Sequence, residues 1–169
     1  MNDATRYETS TPRLKAWTDG GVLQVRFNNP ARHNALSLEM WEAIPGVLAC
    51  AEDDPAVRLV VFSGEGEKSF ASGDDVSQFE DQRAAHEAIT RYERIAEAAL
   101  HAIHDFTKPT LASIRGYCIG GGLNVAVACD LRIASMDSSF SVPATRLGLG
   151  YLLSATQNLT DLVGPGNAR

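Results

Sequence analysis

The sequence has few cysteines, and none of them forms a C-x-x-C pair. Three occur in 169 residues, at Cys50, Cys118 and Cys129, and each lies among apolar residues. An odd number without metal-ligand spacing excludes both a disulfide framework and a cysteine zinc site. We therefore expect three ordinary buried thiols in a reducing compartment.

Clusters of basic residues and long apolar runs are also missing. The formal net charge is -6, and the 15 lysines and arginines are scattered along the chain, which argues against a surface for nucleic acid or anionic membrane. Residues 1–11 are polar, and no apolar run is long enough to cross a bilayer. The sequence therefore predicts a soluble, cytoplasmic protein that binds neither nucleic acid nor membrane.

Internal repeats and low-complexity tracts, which would indicate a solenoid or a linker, do not occur either. A hydrophobic content of 44% in 169 residues is enough for one domain with its own core. The sequence predicts a polar N-terminal tail at 1–12 and one core domain at 13–169.

Strand and helix signals alternate along the chain. The turn Asp19-Gly20-Gly21 indicates a hairpin, and Pro45 predicts a kink or a break in the first helix. The predicted elements are hairpin strands at 14–18 and 22–28, a helix capped by Ser37 and reaching Ala51, a strand buried on both faces at 58–62, a long amphipathic helix that Pro109 ends, strands at 110–114 and 131–134 with a helix reaching Cys129 between them, a helix at 154–163 and a final turn. This alternation predicts an α/β fold with a parallel sheet and right-handed crossovers.

Three successive glycines, Gly120–Gly122, follow a predicted strand and open a helix. A helix start has backbone N–H groups without internal partners and a partial positive charge, so it can stabilise negative charge on a carbonyl oxygen. A tight strand-to-helix turn is the alternative interpretation of the same residues. The glycines alone leave both interpretations open.

Two loops follow successive buried strands, which is where ligands gather in parallel sheets. They read Phe70-Ala71-Ser72-Gly73-Asp74-Asp75 and Arg115-Gly116-Tyr117-Cys118-Ile119-Gly120-Gly121-Gly122, the second ending a helix later in Cys129-Asp130; Arg32-His33-Asn34-Ala35-Leu36 and Asp54-Pro55-Ala56-Val57 precede them in order. With these motifs the chain resembles the enoyl-CoA hydratase/isomerase (crotonase) superfamily from about Gly21 to Arg169. The resemblance implies a spiral β/α fold that binds acyl-CoA thioesters, and no permanently bound cofactor or metal, since the substrate carries the coenzyme A.

The resemblance also implies roles for particular residues. The backbone N–H groups of Ser72 and Gly121 would form an oxyanion hole that polarises the thioester carbonyl. Gly73, Asp74 and Asp75 would line the acyl or pantetheine site, and the Ala35 backbone would contact the CoA. Ser72 stands where alanine is usual, which a backbone donor tolerates.

The two glutamates that hydratases of this family use are replaced, by Asn124 after the glycines and by Ala144 after Pro143. Neither side chain titrates near pH 7, so the resemblance does not extend to two-glutamate hydration or to isomerisation by a single acid. In place of a stretch that is usually rich in glycine, the chain has Tyr151-Leu152-Leu153-Ser154-Ala155, which is bulkier and more apolar and would reshape the acyl pocket. Tyr151 is therefore either a contact of the acyl chain or a packing residue.

Other ionisable residues each allow two interpretations. Asp74 either activates water or caps the next turn, and Asp75 is more typical of a helix cap. Arg32 either meets a CoA phosphate or is a solvated loop charge. Cys118 lacks a nearby base, which favours packing over a nucleophile. The four histidines, His33, His86, His101 and His104, lack metal-site spacing.

Three hypotheses remain at this point. The chain is an acyl-CoA enzyme that stabilises a thioester enolate, or a catalytically silent acyl-CoA-binding or assembly subunit. A third possibility is that residues 1–169 neither fold stably nor bind, because family members are longer and the chain is expected to be truncated before their C-terminal helices. For the full-length protein, the resemblance implies a homo-oligomer, a trimer or hexamer.

Overall fold

A computed structural model describes residues 6–75, 82–144, 150–151 and 153–168. The strands are β1 (Arg6–Tyr7), β2 (Leu14–Asp19), β3 (Val22–Phe27), β4 (Leu59–Gly64), β5 (Ser69–Ala71), β6 (Thr110–Ile114), β7 (Tyr117–Ile119), β8 (Leu131–Ala134) and β9 (Ser139–Ser141). The helices are α1 (Leu38–Asp53), α2 (Gln82–His104), α3 (Gly121–Ala128), α4 (Leu153–Val163) and α5 (Pro165–Ala168), with a 3-10 turn at Pro30–Arg32.

Two sheets carry the fold. The larger has the order β1-β2-β3-β4-β6-β8, and its strands from β3 to β8 run parallel. The smaller has the order β5-β7-β9 and is parallel throughout. The predicted α/β class with a parallel sheet is therefore confirmed, but the sequence did not predict the smaller sheet, because strands of three residues are too short to show an alternating pattern.

The predicted hairpin is confirmed. β2 and β3 pair antiparallel, and Asp19 is opposite Val22 in the register. The two residues between them, Gly20 and Gly21, have φ of 58° and 84°, which is the backbone that a two-residue hairpin turn requires. Arg6 and Tyr7, inside the segment predicted as a polar tail, pair with β2.

Helix α1 begins after Ser37 and runs through Pro45 without a break. Of the two effects that the sequence predicts for Pro45, the break is therefore wrong, and the kink stays a prediction. Proline removes one helical hydrogen bond, but the buried side of α1 compensates by packing in the core. This buried side consists of Met40, Trp41, Ala43, Ile44, Val47, Leu48 and Ala51.

The prediction that β4 is buried on both faces is also wrong. Val60 and Phe62 are fully buried, whereas Leu59, Val61 and Ser63 are half-buried. The first pair faces the core that the helices cover, and the second set lies on the outer face of the sheet. In β8, the edge strand, Leu131 and Ile133 are exposed.

Further elements agree with the sequence in position but not in every detail. β6 and β8 have their predicted bounds, and α2 ends at His104, before Pro109. Cys50 is exposed, so the prediction of three buried thiols is wrong at this position; it lies on the outward side of α1. The predicted final turn forms the short helix α5.

Across the part of the chain that the structure describes, no helix has the length and apolar character to cross a membrane.

Candidate active site

The loop after β5 is fastened to the segment before α1. Leu36 N–H donates to the Gly73 carbonyl, and Asp75 N–H donates to the Leu36 carbonyl, both at 2.8 Å. Ser72 Oγ donates to the Arg32 carbonyl at 3.1 Å. Arg32 Nη1 and Asp75 Oδ1 form an ion pair at 2.8 Å. These contacts hold the predicted site loop rigidly against the predicted CoA-contacting segment.

Helix α3 begins at the second of the three glycines. As the first helical residue, Gly121 has an N–H without an acceptor inside the helix. A Cβ on Gly121 would lie 2.6 Å from Asp74 Oδ1 and 3.1 Å from Trp41 Cζ2, and a Cβ on Gly122 would lie 2.6 Å from the Ala71 carbonyl oxygen. Only glycine allows α3 to approach the loop after β5 this closely, so the structure brings Gly121 and Asp74 together.

The Asp74 carboxylate belongs to a hydrogen-bond network with two aromatic side chains. Asp74 Oδ1 accepts from Trp41 Nε1 at 3.1 Å and lies 3.1 Å from the Tyr92 hydroxyl. Trp41 Nε1 also lies 2.9 Å from Tyr92 Oη, and this hydroxyl reaches the Leu36 carbonyl at 2.6 Å. Trp41 and Tyr92 are buried. The network therefore connects α1, α2 and the loop after β5 at one point.

The environment of Asp74 favours its neutral form. The residue is exposed on one side, but Oδ1 lies among the buried aromatic groups. Desolvation by the packed protein raises the pKa of the Asp74 carboxyl, and the hydrogen bonds from Tyr92 and Trp41 oppose this rise. Desolvation and the nearby Asp74 charge also raise the pKa of Tyr92.

Asn124 lies one turn after Gly121 and is half-buried. The Tyr151 hydroxyl donates to Asn124 Oδ1. Desolvation, and to a smaller extent the charge of Asp74, raises the pKa of Tyr151 to about 12, against the effect of the Asn124 hydrogen bond. Asn124 and Tyr151 are therefore together in the structure, and both are neutral near pH 7. Ala144 and Ala35 are buried.

A cavity of about 210 Å³ lies between α2, α3 and α4, and Asn124 is among its lining residues. A larger depression of about 330 Å³ is lined by Arg26, Ser63 and Arg115 on the outer face of the large sheet. None of the predicted site residues lines the larger depression. The smaller cavity therefore adjoins the candidate site at Asn124.

The remaining candidates are Cys118 and the histidines. Cys118 is fully buried, and burial raises the pKa of its thiol to about 12, which confirms packing. His33 is exposed with its ring edge against Tyr117. His101 and His104 are exposed residues of α2 that line the smaller cavity. Among the described residues, no three His, Cys, Asp or Glu side chains are close enough to hold a metal ion. The prediction that Asp75 caps the following helix involves residues 76–81, which lie outside the described part. The side chain of His86 lies outside it too.

Sequence reasoning missed three side chains at the site. Trp41 and Tyr92 lie on helices that the sequence predicts but are not among the predicted site residues, although both carry a polar group that needs a partner when buried. Glu97, on α2, also lines the smaller cavity. The polar groups on the Trp41 and Tyr92 rings were the available signal; no pattern in the sequence indicates Glu97.

Comparisons with known proteins agree with one another. The sequence profile of the enoyl-CoA hydratase/isomerase family matches residues 18–169. The chain is 34% identical to a peroxisomal Delta(3,5)-Delta(2,4)-dienoyl-CoA isomerase of Arabidopsis thaliana over 89% of its length and 58% of the relative's, and 35% identical to a crotonyl-CoA hydratase of Syntrophomonas wolfei over 84% and 54%. A crystal structure of an enoyl-CoA hydratase/isomerase family protein from Hyphomonas neptunium superposes with a TM-score of 0.88 at 37% identity, covering 95% of this chain and 62% of the other. The chain thus spans a little over half the length of the curated relatives it matches.

Proposed function

Since the chain belongs to the enoyl-CoA hydratase/isomerase family, we propose that it binds an acyl-CoA thioester and stabilises the thioester enolate with the backbone N–H groups of Ser72 and Gly121. The position of Gly121 at the start of α3 supports this role, because a helix start offers free N–H groups and partial positive charge. The Ala35 backbone and the loop 72–75 would bind the CoA part of the substrate. No metal or permanent cofactor takes part in this proposal.

Asp74 is the group that would exchange protons with the substrate. The observation that carries this assignment is the 2.6 Å between Asp74 Oδ1 and the position of a Cβ on Gly121, which puts an ionisable group beside the proposed oxyanion donor. A carboxylate with a raised pKa is a stronger base. In an isomerisation, Asp74 would take a proton from one carbon of the acyl chain as the enolate forms and return it to another carbon. In a hydration, Asp74 would take a proton from water while the water oxygen bonds to the β-carbon, and would return that proton to the α-carbon of the enolate.

Asn124 and Ala144 replace the usual glutamates in this proposal. The Tyr151 hydroxyl donates to Asn124 Oδ1, which would leave the Asn124 NH2 group oriented toward the substrate. Asn124 would then orient a water molecule or the thioester rather than carry a proton. Ala144, a buried methyl group, would only bound the acyl site.

Turnover of crotonyl-CoA, followed by the loss of absorbance of the conjugated thioester, tests the proposal. We expect Asp74→Asn to reduce kcat by about 100-fold or more, the size of a general acid–base contribution. The matched control is Asp161→Asn, on the exposed side of α4, which should keep the wild-type rate. Equal rates in Asp74→Asn and the wild type would remove Asp74 from the mechanism.

A second candidate function is a catalytically silent acyl-CoA-binding or assembly subunit. The two hydrogen-bond donors at Asp74 Oδ1 favour it, because such a carboxylate is also typical of a purely structural group. Binding of crotonyl-CoA by the wild type without any turnover would establish this function instead.

We also propose a homo-oligomer, a trimer or hexamer, for the full-length protein. Exposed Leu131, Ile133 and Met136 on and after the edge strand β8 support it, since monomers rarely leave contiguous apolar surface in water. Sedimentation equilibrium checks the assembly, and a monomer at all concentrations would contradict it.

A further inference from the structure

The cavity between α2, α3 and α4 lies along one side of α3, beginning at Asn124, one turn after the proposed oxyanion donor Gly121. Asn124, Val127 and Ala128 line it, and they follow Gly121 by three, six and seven residues, which is the spacing of one helix face. At 1.5 Å per residue they lie about 4.5 to 10.5 Å beyond Gly121 along the helix axis. An acyl chain whose carbonyl oxygen meets the Gly121 amide would reach this cavity if it ran along this side of α3 toward the end of the helix.

The size of the cavity suits one end of a ligand. Its volume is about 210 Å³, and sites that enclose a whole small molecule usually measure about 300–1,000 Å³. A cavity of this size has room for the distal part of an acyl group but not for the CoA.

The lining of the cavity is not that of a simple hydrocarbon pocket. Leu100 and Val127 supply apolar walls, but polar side chains line it as well: Glu97, His101, His104, Ser154 and Asn158. Glu97 is half-buried and is the one carboxylate among the described lining residues. A methyl group placed against it would cost part of the carboxylate's hydration without returning a hydrogen bond.

Glu97 has acceptor capacity for a ligand. Ser154 Oγ donates to Glu97 Oε1 at 3.4 Å, well beyond the usual O–H···O distance of about 2.8 Å. An ionised carboxylate has about four acceptor positions and donates nothing. Within the described part of the chain, this one long bond leaves most of the acceptor positions of Glu97 to a group that donates a hydrogen bond.

We propose that this cavity selects acyl-CoA thioesters whose acyl chain ends in a hydrogen-bond donor, a hydroxyl or an ammonium group, and that Glu97 is the residue that determines this specificity. The proposal rests on the proposed thioester site at Gly121 and adds the chemical class of its substrate.

A matched pair of thioesters tests it: trans-2-hexenoyl-CoA and 6-hydroxy-trans-2-hexenoyl-CoA. Calorimetric titration of the whole chain gives the Kd of each. We expect the wild type to bind the hydroxylated thioester about tenfold more tightly, the contribution of one hydrogen bond to a charged group. Glu97→Leu should remove or reverse the preference, and Glu97→Gln should reduce it. Glu93→Leu, at an exposed position one turn earlier on α2, should leave the ratio unchanged.

The outcomes separate the specificity from the catalytic proposal. A preference that depends on Glu97 without any turnover supports the specificity and removes the enzyme function. Equal Kd values for the two thioesters, or a preference that survives Glu97→Leu, overturn the specificity even if both are turned over. Failure to bind either thioester overturns both proposals. Thermal unfolding of each variant verifies that the substitutions keep the fold.

Discussion

The Tyr92 hydroxyl joins three parts of the candidate site at one oxygen atom, since Asp74, Trp41 and the Leu36 carbonyl all lie within hydrogen-bond distance of it. Tyr92 would not touch the substrate in the proposed mechanism. Its role is to position the Asp74 carboxylate and to adjust its proton affinity.

Tyr92→Phe removes one of the two hydrogen bonds that lower the pKa of Asp74. We expect the ascending limb of the kcat/KM profile against pH to move to higher pH, because a base with a raised pKa ionises later. The plateau rate should change much less than in Asp74→Asn. The control is Tyr117→Phe, a half-exposed phenol on β7. An unchanged profile in Tyr92→Phe would show that this hydroxyl does not affect the group that titrates.

The raised pKa of Asp74 also predicts how stability depends on pH. The folded protein holds this proton more tightly than the unfolded chain, whose aspartate titrates near pH 3.9. The stabilisation is therefore fully present below about pH 3.9 and is lost as pH rises through the higher folded pKa. Urea unfolding from pH 3.5 upward should show the loss for the wild type and a smaller one for Asp74→Asn. Identical pH dependences in the wild type and in Asp74→Asn would show that folding does not raise the pKa of Asp74.

Among the elements, α3 contains a glycine with no room for a side chain, whereas α1 contains a glycine with open space around it. A Cβ on Gly122 would lie 2.6 Å from the Ala71 carbonyl oxygen, whereas nothing lies within 4 Å of a Cβ on Gly46. Gly122→Ala should lower the free energy of unfolding by about 1–3 kcal/mol through overpacking. Gly46→Ala should raise it by up to about 1 kcal/mol, since alanine is the better helix former. Chemical denaturation measures both, and destabilisation of equal size would contradict the close contact of α3 with β5.

The elements also show the limits of periodicity. The patterns predicted β2, β3, β6 and β8 closely, because each alternates or is continuously apolar over four or more residues. They gave no sign of β5, β7 and β9, whose three residues pair only because α3 and the neighbouring turns hold them. Pro45 predicts a kink or a break in α1, but the helix continues through this residue, because the packing of that helix outweighs a local preference.

For the whole molecule, ligand binding and stability should be coupled. The chain spans 58% of one curated relative and 54% of another, so cooperative folding of residues 1–169 is itself a prediction. At a crotonyl-CoA concentration 100 times the Kd, the free energy of unfolding should rise by about 2.7 kcal/mol, which corresponds to roughly 5–10 °C in Tm. Differential scanning calorimetry with and without crotonyl-CoA measures this, with free cysteamine as the control ligand. A broad, ligand-independent transition would favour the hypothesis that this chain does not fold stably.

The sequence by itself determined the α/β class, the hairpin, the family and the presence of glycines at a helix start, because all of these depend on local patterns and short motifs. The tertiary structure decided which side chains meet there. Trp41, Asp74, Tyr92 and Gly121 come from four separate parts of the chain, and their contacts exist only once α1, α2, α3 and the loop after β5 pack together. The same holds for Glu97 and Asn124, which share a cavity although 27 positions separate them in the sequence. Periodicity indicates which face of a helix is buried, but the partner across the interface depends on the packing of whole elements, which no local pattern encodes.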